Sequence, residues 1–110
     1  MANVFETYTS RAVGNSLTAV GGHTVAAGHT ETCIGLAVSN ITASAVTVTV
    51  TYNDASNDTH IIKSAPLPAG SALVPIGGDQ KIVLTVGDSI KVSANTASSI
   101  DAVMSVLDQS

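Results

Sequence analysis

The segment VTVTVTY, residues 46–52, contains the clearest strand signal in the chain. Valines at positions 46, 48 and 50 alternate with threonines, so an extended backbone places valine on one face and threonine on the other. β-branched side chains are stiff at χ1 and pack well on a pleated surface. We therefore predict a half-buried strand, with Tyr52 on the valine face and in the core. The polar segment 53–58, NDASND, follows with residues typical of turns.

The segment before this strand alternates in the same way and predicts a first hairpin. Ile34, Leu36 and Val38 share one face of residues 33–40, and a short turn leads from Asn40 into the valine strand. The other face carries only the small residues Cys33, Gly35 and Ala37. A face of small side chains allows close contact with another backbone or layer, so it is a candidate contact surface.

A second hairpin is predicted by KIVLTVGDSIKV, residues 81–92, because its alternation is interrupted only at Gly87-Asp88. Residues 99–107 predict the last strand, with Ile100, Ala102, Met104 and Val106 on one face. The prolines of APLPAG, residues 65–70, exclude a central strand or a helix there. Shorter strand candidates are residues 4–9, 16–20, 23–27, 60–63 and 71–76.

The whole pattern predicts an all-β protein. No apolar stripe recurs at helical spacing, and turn residues separate the short strand candidates at regular intervals. We predict one domain over residues 1–110, an antiparallel β-sandwich that is jelly-roll-like or immunoglobulin-like and has about seven to eight short strands. Residues 1–30 are the least strand-like, are rich in glycine and lie at a terminus, so they are a candidate docking arm.

Composition limits the possible partners. Hydrophobic residues make up 45% of the chain and charged residues 11%, against about 25% in an average soluble domain. So few charges suggest a surface that is partly covered by other copies. The net charge is −4, and the only basic residues are Arg11, Lys63, Lys81 and Lys91. Because these are scattered, we expect no binding to nucleic acid or to an anionic membrane surface.

Targeting signals are also missing from the sequence. The polar start MANVFETYTSR does not resemble a secretory signal, and no run approaches the roughly 20 apolar residues of a membrane span. We expect synthesis in a cytoplasm and retention there until assembly or lysis.

Candidate chemical groups are few. Cys33 is the only cysteine, and its apolar neighbours favour a small buried side chain over a reactive thiol. His23, His29 and Glu31 lie close in sequence, but their spacing is not that of a zinc site, so solvated loop histidines are expected. A further acidic segment, with Asp54, Asn57 and Asp58, lacks the pattern of a helix-loop-helix calcium site and predicts an ordinary polar turn.

Catalytic motifs are likewise missing. The chain has neither a Gly-x-Ser-x-Gly elbow nor a phosphate-binding loop. Asp79 and Asp88 both follow turn glycines, which favours turn formation over acid-base chemistry. We therefore predict no catalytic, cofactor-binding or metal-binding residues, and a protein that is not an enzyme. A sugar-binding sandwich would need aromatic platforms, and the chain offers only Phe5, Tyr8 and Tyr52.

One long segment resembles a known group of proteins. Residues 65–108, APLPAGSALVPIGGDQKIVLTVGDSIKVSANTASSIDAVMSVLD, look like the C-terminal part of small β-sandwich virion proteins of tailed bacteriophages, including phages of cyanobacteria. The match includes the turn PLPAG, the hairpin-like KIVLTVGDSIKV and a final strand like IDAVMSVLD. The upstream ASAVTVTVTYND, residues 43–54, is similar to their first hairpin, whereas residues 1–30 match nothing.

The resemblance implies a non-enzymatic structural subunit of a virion. Such subunits decorate the head, surround the neck, or belong to the tail or a fibre. The implied partners are further copies of the chain, in a homo-oligomer, and other virion proteins. The implied localisation is the virion, after synthesis in the cytoplasm of a bacterial host. The alternative is a carbohydrate- or receptor-binding module of a phage fibre. No functional residue is implied, because the shared pattern belongs to the fold.

Overall fold

A computed structural model of the chain describes residues 3–110. This range contains nine β-strands, a single 3-10 turn at Val20–Gly22 and no α-helix. The strands are β1 Asn3–Val13, β2 Thr18–Ala19, β3 Thr30–Asn40, β4 Val46–Asn53, β5 Asp58–Leu67, β6 Ala72–Ile76, β7 Ile82–Leu84, β8 Ser89–Ala94 and β9 Ile100–Gln109. Within the described residues, no helix has the length and apolar character needed to cross a membrane.

The strands form two antiparallel sheets that pack face to face. Sheet A has the order β1-β9-β3-β6, and β7 pairs with β3 on the same side as β6. Sheet B has the order β2-β8-β4-β5. The predicted antiparallel β-sandwich is therefore confirmed. The strands number nine instead of the expected seven to eight, and four of them, β1, β3, β5 and β9, have ten or more residues and are not short.

Alternating burial follows the predicted pattern in β9 and in β4 up to Val50, after which a register shift with β5 leaves Thr51 buried instead of outward-facing. Val46, Val48 and Val50 of β4 are buried, and so are the alternate residues of β9 from Ile100 to Val106. Tyr52 packs against the margin of this core and is only partly buried. Burial of these apolar side chains contributes about 25 cal/mol per Å² removed from water, which makes the space between the sheets the main source of stability.

Both predicted hairpins are wrong, because their strands belong to different sheets. β3 lies in sheet A and β4 in sheet B, and β7 lies in sheet A and β8 in sheet B. Alternation shows that a strand has one buried face, and this holds equally for hairpin partners and for strands that face each other across the core. The segments after β3 and β7 are therefore corners at which the chain changes sheets.

Asn40 holds the corner between β3 and β4. Its side chain is 3% exposed and forms hydrogen bonds in two directions. The amide nitrogen donates to the carbonyl oxygens of Ser44 (2.8 Å) and Leu67 (3.1 Å). The amide oxygen accepts from the backbone N–H (2.9 Å) and hydroxyl (2.8 Å) of Thr42. One side chain thus fixes the turn and joins it to the end of β5 in sheet B.

Asp88 holds the corner between β7 and β8. Its carboxylate oxygen Oδ2 accepts hydrogen bonds from the hydroxyl of Tyr52, the N–H of Thr85 (2.9 Å) and the hydroxyl of Thr85 (3.1 Å). Burial opposes ionisation of this carboxyl, but the hydrogen bonds outweigh it and lower its pKa. The corner also needs Gly87, whose φ of +85° is a left-handed conformation that glycine adopts without strain.

A β-bulge in β3 reverses the predicted position of Cys33. Pairing with β9 is regular up to Cys33 and resumes at Gly35, so one extra residue shifts the faces of the strand. Cys33 is therefore fully buried in the core, on the same side as Leu36 and Val38. The prediction of a contact face with Cys33, Gly35 and Ala37 is wrong for Cys33, while Gly35 and Ala37 remain on the outer side.

The interpretation of residues 1–30 as the least strand-like part is wrong for residues 3–13. β1 has eleven residues and pairs with β9 from Asn3↔Gln109 to Ser10↔Ala102. Val13, Val20 and Val25 belong to the core. Residues 1 and 2 lie outside the described range, and the docking role of the segment remains a prediction.

The prolines of residues 65–70 were expected to exclude a central strand. Pro66 lies in β5, which is an edge strand, so this exclusion is confirmed.

Candidate functional site

Three carboxylates converge at one end of the inner face of sheet A. Glu31 of β3 lies directly opposite Asp108 of β9 in the strand register. Glu6 of β1 lies on the same face, because Val106, its partner on β9, shares that face with Asp108. Carboxylate oxygens of the three residues lie within 4.8 Å of one another. We refer to Glu6, Glu31 and Asp108 as the carboxylate cluster.

The segment 23–29 closes this end of the sandwich and brings two histidines to the cluster. It is fixed in the middle by Val25, whose side chain is buried. The N–H of Val25 donates to the carbonyl oxygen of Asp88 (3.1 Å), and the N–H of Gly87 donates to the carbonyl oxygen of Val25 (2.9 Å). The corner between β7 and β8 therefore also positions the segment that covers the carboxylates.

Each histidine pairs with a different carboxylate. Nε2 of His23 lies 2.8 and 2.9 Å from the two carboxylate oxygens of Glu31, and the side chains of the pair are 16% and 2% exposed. Nδ1 of His29 lies 2.9 Å from Oδ1 of Asp108. The prediction of solvated loop histidines is therefore wrong for His23, which is largely buried, and His29 is only half-exposed.

Aromatic packing fixes the orientation of His23. The rings of Tyr8 and His23 stack with centroids 3.8 Å apart and planes 11° from parallel. The hydroxyl of Tyr8 donates to Glu6 (2.9 Å), which links the third carboxylate to the same group. Burial raises the pKa of Tyr8, and the hydrogen bond to Glu6 adds to this effect, so the phenol stays protonated. Gly21 also packs against Tyr8, and a Cβ at this position would lie 2.8 Å from that of Tyr8.

Electrostatics explain why the carboxylates and histidines occur together. The hydrogen bond and the charge of Asp108 raise the pKa of His29, so its positive form is favoured in the folded state. Carboxylates this close to one another repel unless they are neutralised. Hard divalent cations bind carboxylate oxygens of this kind. However, Tyr8, His23 and His29 already form hydrogen bonds to the carboxylates of Glu6, Glu31 and Asp108, respectively. The arrangement therefore acts as a polar network that closes the core.

The sequence pointed to only half of this network. His23, His29 and Glu31 lie close together in the chain, whereas Glu6 and Asp108 come from positions near its two ends. A usable signal exists in β9, where Asp108 continues the inward-facing series that starts at Ile100. A charged residue at an inward-facing position predicts a buried partner.

The remaining candidates have structural surroundings. Cys33 is buried and its thiol lies 3.7 Å from the carbonyl oxygen of Gly35, and burial raises its pKa to about 11. In the polar turn, Oδ1 of Asp54 accepts from the N–H of Asn57 (2.8 Å). Oδ1 of Asp58 accepts from Asn53 (2.9 Å) and Thr51 (3.1 Å), and these bonds lower its pKa against the opposing effect of burial.

The outer face of sheet A is a second candidate surface. Phe5, Leu107, Thr32 and Val83 form one continuous row across four strands according to the strand register. Phe5 is 74% exposed and Val83 58% exposed. The next rows along the sheet contain Thr7, Ser105 and Gly35, and then Thr9, Val103 and Ala37. Over these three rows the face carries no charged side chain.

Neither the surface nor relatives add a further site. Along residues 3–110 no cavity or cleft is present that could hold a small molecule. Comparison of the chain with protein-family models, with curated proteins and with solved structures finds no match. Inferences about function therefore depend on the chain itself.

Proposed function

We propose that the protein is a non-enzymatic structural subunit of a tailed-phage virion. In this role it decorates or joins parts of the head, neck or tail, assembles with copies of itself and docks on other virion proteins. The resemblance of residues 65–108 to small phage sandwich proteins supplies the virion context. The outer face of sheet A is the observation that carries the structural role.

An uncharged sheet face is typical of a protein that is covered when it works. Antiparallel sheets in free-standing proteins usually alternate apolar residues inside with polar residues outside. Here the outside carries Phe5, Val83 and Val103, spaced by threonine, serine, glycine and alanine. The cores of protein interfaces are depleted in charge and enriched in aromatic residues, and contiguous exposed apolar patches mark interaction sites.

Whole particles provide the direct test. Tailed-phage particles from the source of this chain are purified on a density gradient and analysed by mass spectrometry with calibrated peptide standards. The proposal predicts that the chain remains with intact particles at several copies each. A chain that is present in the lysate but missing from the particles contradicts the proposal.

Docking through the outer face is tested by adding recombinant protein to particles that lack it. Wild-type protein should bind, and Val83→Lys should bind at least tenfold more weakly, because a charge that an interface covers must be desolvated. Lys63 lies on β5 of the other sheet, so Lys63→Glu is a matched control that changes a surface charge and should leave binding unchanged. Equal binding of all three proteins contradicts docking through this face.

A fibre module that binds carbohydrate or a receptor is the second candidate, and the exposure of Phe5 favours it. Sugar sites use an exposed aromatic ring as a platform for the apolar face of a sugar. Tyr8 is stacked on His23, and Tyr52 is hydrogen-bonded to Asp88, so Phe5 is the aromatic ring that is free to do this in residues 3–110. The candidate predicts binding on a glycan array that Phe5→Ala abolishes. A blank array contradicts it.

A further inference from the structure

The four edges of the two sheets differ in how well they are protected. An edge strand exposes a row of unpaired N–H and C=O groups, and proteins protect such rows with prolines, bulges, shortness or charge. In sheet B, β2 has only two residues, and β5 contains Pro66, two register shifts and a left-handed Ser64. In sheet A, the edge along β3 is divided between β6, which contains Pro75, and β7, which has three residues.

The remaining edge, β1, has none of these protections over most of its length. Asn3 to Ser10 pair one-to-one with β9, and this stretch contains neither proline nor a register shift. Irregularity begins only afterwards, between Ser10 and Val13, where Ala12 is left-handed. In residues 3–110, the backbone of residues 3–11 forms hydrogen bonds only within its ladder with β9. Over these eight residues, the N–H and C=O groups of every second residue therefore have no backbone partner on the other side, where Gly21 of the 3-10 turn contacts Tyr8 and donates to the hydroxyl of Ser10.

The side chains of this edge place no charge on the outer face of the strand. Glu6 is the only charged residue between positions 3 and 10, and it points inward to Tyr8 and the carboxylate cluster. Val4 and Phe5 are exposed apolar residues on the two faces of the strand. Edge strands of monomeric proteins typically carry lysine at such positions.

We propose that β1 pairs antiparallel with β1 of a second copy, so that sheet A continues from one molecule into the next. The inference rests on the self-assembly part of the proposed function and names the surface involved. A two-fold axis at Thr7 sets Phe5 opposite Thr9 and Glu6 opposite Tyr8 across the junction. No like charges lie directly opposite each other in this register: the two Glu6 side chains are diagonal neighbours, and each accepts a hydrogen bond from Tyr8 of its own copy. Phe5 opposite Thr9 sets an aromatic side chain against a β-branched one, which is a favourable cross-strand pair. The strand is thus complementary to itself.

This junction leaves the outer face of sheet A free for other partners. Both copies present the row from Phe5 to Val83 on the same side of the extended sheet, because a two-fold axis perpendicular to a sheet keeps its faces. An edge junction alone buries less than about 1,200 Å², which is the range of weak and transient complexes. The pairing should therefore depend on concentration in solution and become stable when many copies lie close together.

The test is sedimentation of the full chain at concentrations from about 10 µM to about 1 mM, the range suited to a weak interface. The mass should rise from the 11.0 kDa of one chain toward twice this value. Thr7→Lys places two lysines directly opposite each other at the junction and should weaken the dimer about tenfold. Val103→Lys is the matched control, because it adds the same charge to the same face on the neighbouring strand and should leave the dimer unchanged.

A second measurement maps the junction. Thr7→Cys should form a disulfide-linked dimer under mild oxidation, whereas Val103→Cys should not, and the buried thiol of Cys33 should not interfere. A protein that stays monomeric up to the highest concentration overturns both the edge pairing and self-assembly in solution. A dimer that Val103→Lys disrupts and Thr7→Lys does not overturns the edge pairing, while the proposed self-assembly stands on another surface.

Discussion

Replacement of Asn40 by alanine tests whether the sheet-changing corners stabilise the sandwich. Asn40 is buried at the corner between β3 and β4, and its side chain forms four hydrogen bonds. Asn40→Ala removes both the donor and the acceptor of this side chain without adding volume. The carbonyl oxygen of the buried Leu67 then loses a hydrogen-bond donor, while the groups of Thr42 and Ser44 are near the surface, where water can replace the side chain.

The magnitude follows from these different surroundings. A buried polar group that loses its partner costs about 1–3 kcal/mol, and a hydrogen bond that water can replace costs about 0.5 kcal/mol. One buried carbonyl group and two or three groups near the surface give a loss of about 2–4 kcal/mol in the free energy of unfolding. For a domain of this size, the melting temperature should fall by about 10–20 °C.

Urea unfolding followed by circular dichroism measures this loss. Asn57→Ala is the matched control, since Asn57 is exposed and its side chain forms no hydrogen bond in residues 3–110, and a change within about 0.5 kcal/mol is expected. Asn40→Asp keeps the shape but turns the amide donor into an acceptor that faces two carbonyl oxygens. It should destabilise more at pH 7 than at pH 4. A loss below about 0.5 kcal/mol for Asn40→Ala refutes the assigned role of the corner.

Four further changes test other parts of the structure. Asp88→Ala should destabilise the protein by about 2–4 kcal/mol at pH 7. The hydroxyl of Tyr52 and the N–H of Thr85 lose a charged acceptor, while the hydroxyl of Thr85 can turn to water. The folded-state pKa of Asp88 is lowered, so its stabilising contribution is fully present above the unfolded-state pKa near 3.9 and is lost as the pH falls through the folded-state pKa. The difference in stability between wild type and variant should therefore shrink in acid. Gly21→Ala should cost about 2 kcal/mol or more, because φ is +65° and the new Cβ would meet Tyr8, and the change should appear in the near-ultraviolet spectrum. Ala55→Gly should stabilise by about 0.5–1 kcal/mol in the same urea assay, because Ala55 has a φ of +79°. The thiol of Cys33 should react with a disulfide reagent only after denaturant is added, because it is buried and its pKa is raised.

Two of these predictions have a matched control variant. Asp79→Ala changes an exposed aspartate that also follows a turn glycine, and should leave stability and its pH dependence unchanged. Gly78→Ala changes a left-handed glycine with open space around it, which separates backbone strain from the clash at Gly21. Equal effects of the two glycine substitutions contradict the contact with Tyr8. A Cys33 that reacts at the same rate in native and denatured protein contradicts its burial.

The strands were predictable because alternation is a local signal. In β4 and β9 the apolar residues repeat every second position, and each series is buried as expected. Sheet membership was not predictable, since a strand paired in the same sheet and a strand across the core both bury one face. Bulges also escape local analysis: the extra residue at Ile34 moved Cys33 from the expected outer face to the core.

The polar network shows the same limit. His23 and Glu31 are eight positions apart, and their proximity was visible in the sequence. Asp108 and Glu6 reach the same place only through the pairing of β9 with both β1 and β3. Because long-range register brings these groups together, a single sequence without known strand pairing does not identify the full set.

The position of β9 between β1 and β3 has a consequence for folding. Asn3 and Thr30 both pair with Gln109, so the middle of sheet A is supplied by a strand that is made after the other eight. On the ribosome, β1 can pair with its neighbour only after residues 100–109 have emerged. Sheets dominated by such distant pairings fold in milliseconds to seconds, more slowly than helical domains. We therefore expect both edges of β1 to remain unpaired until β9 has emerged. Synthesis of many copies close together then favours encounters between these unpaired strands.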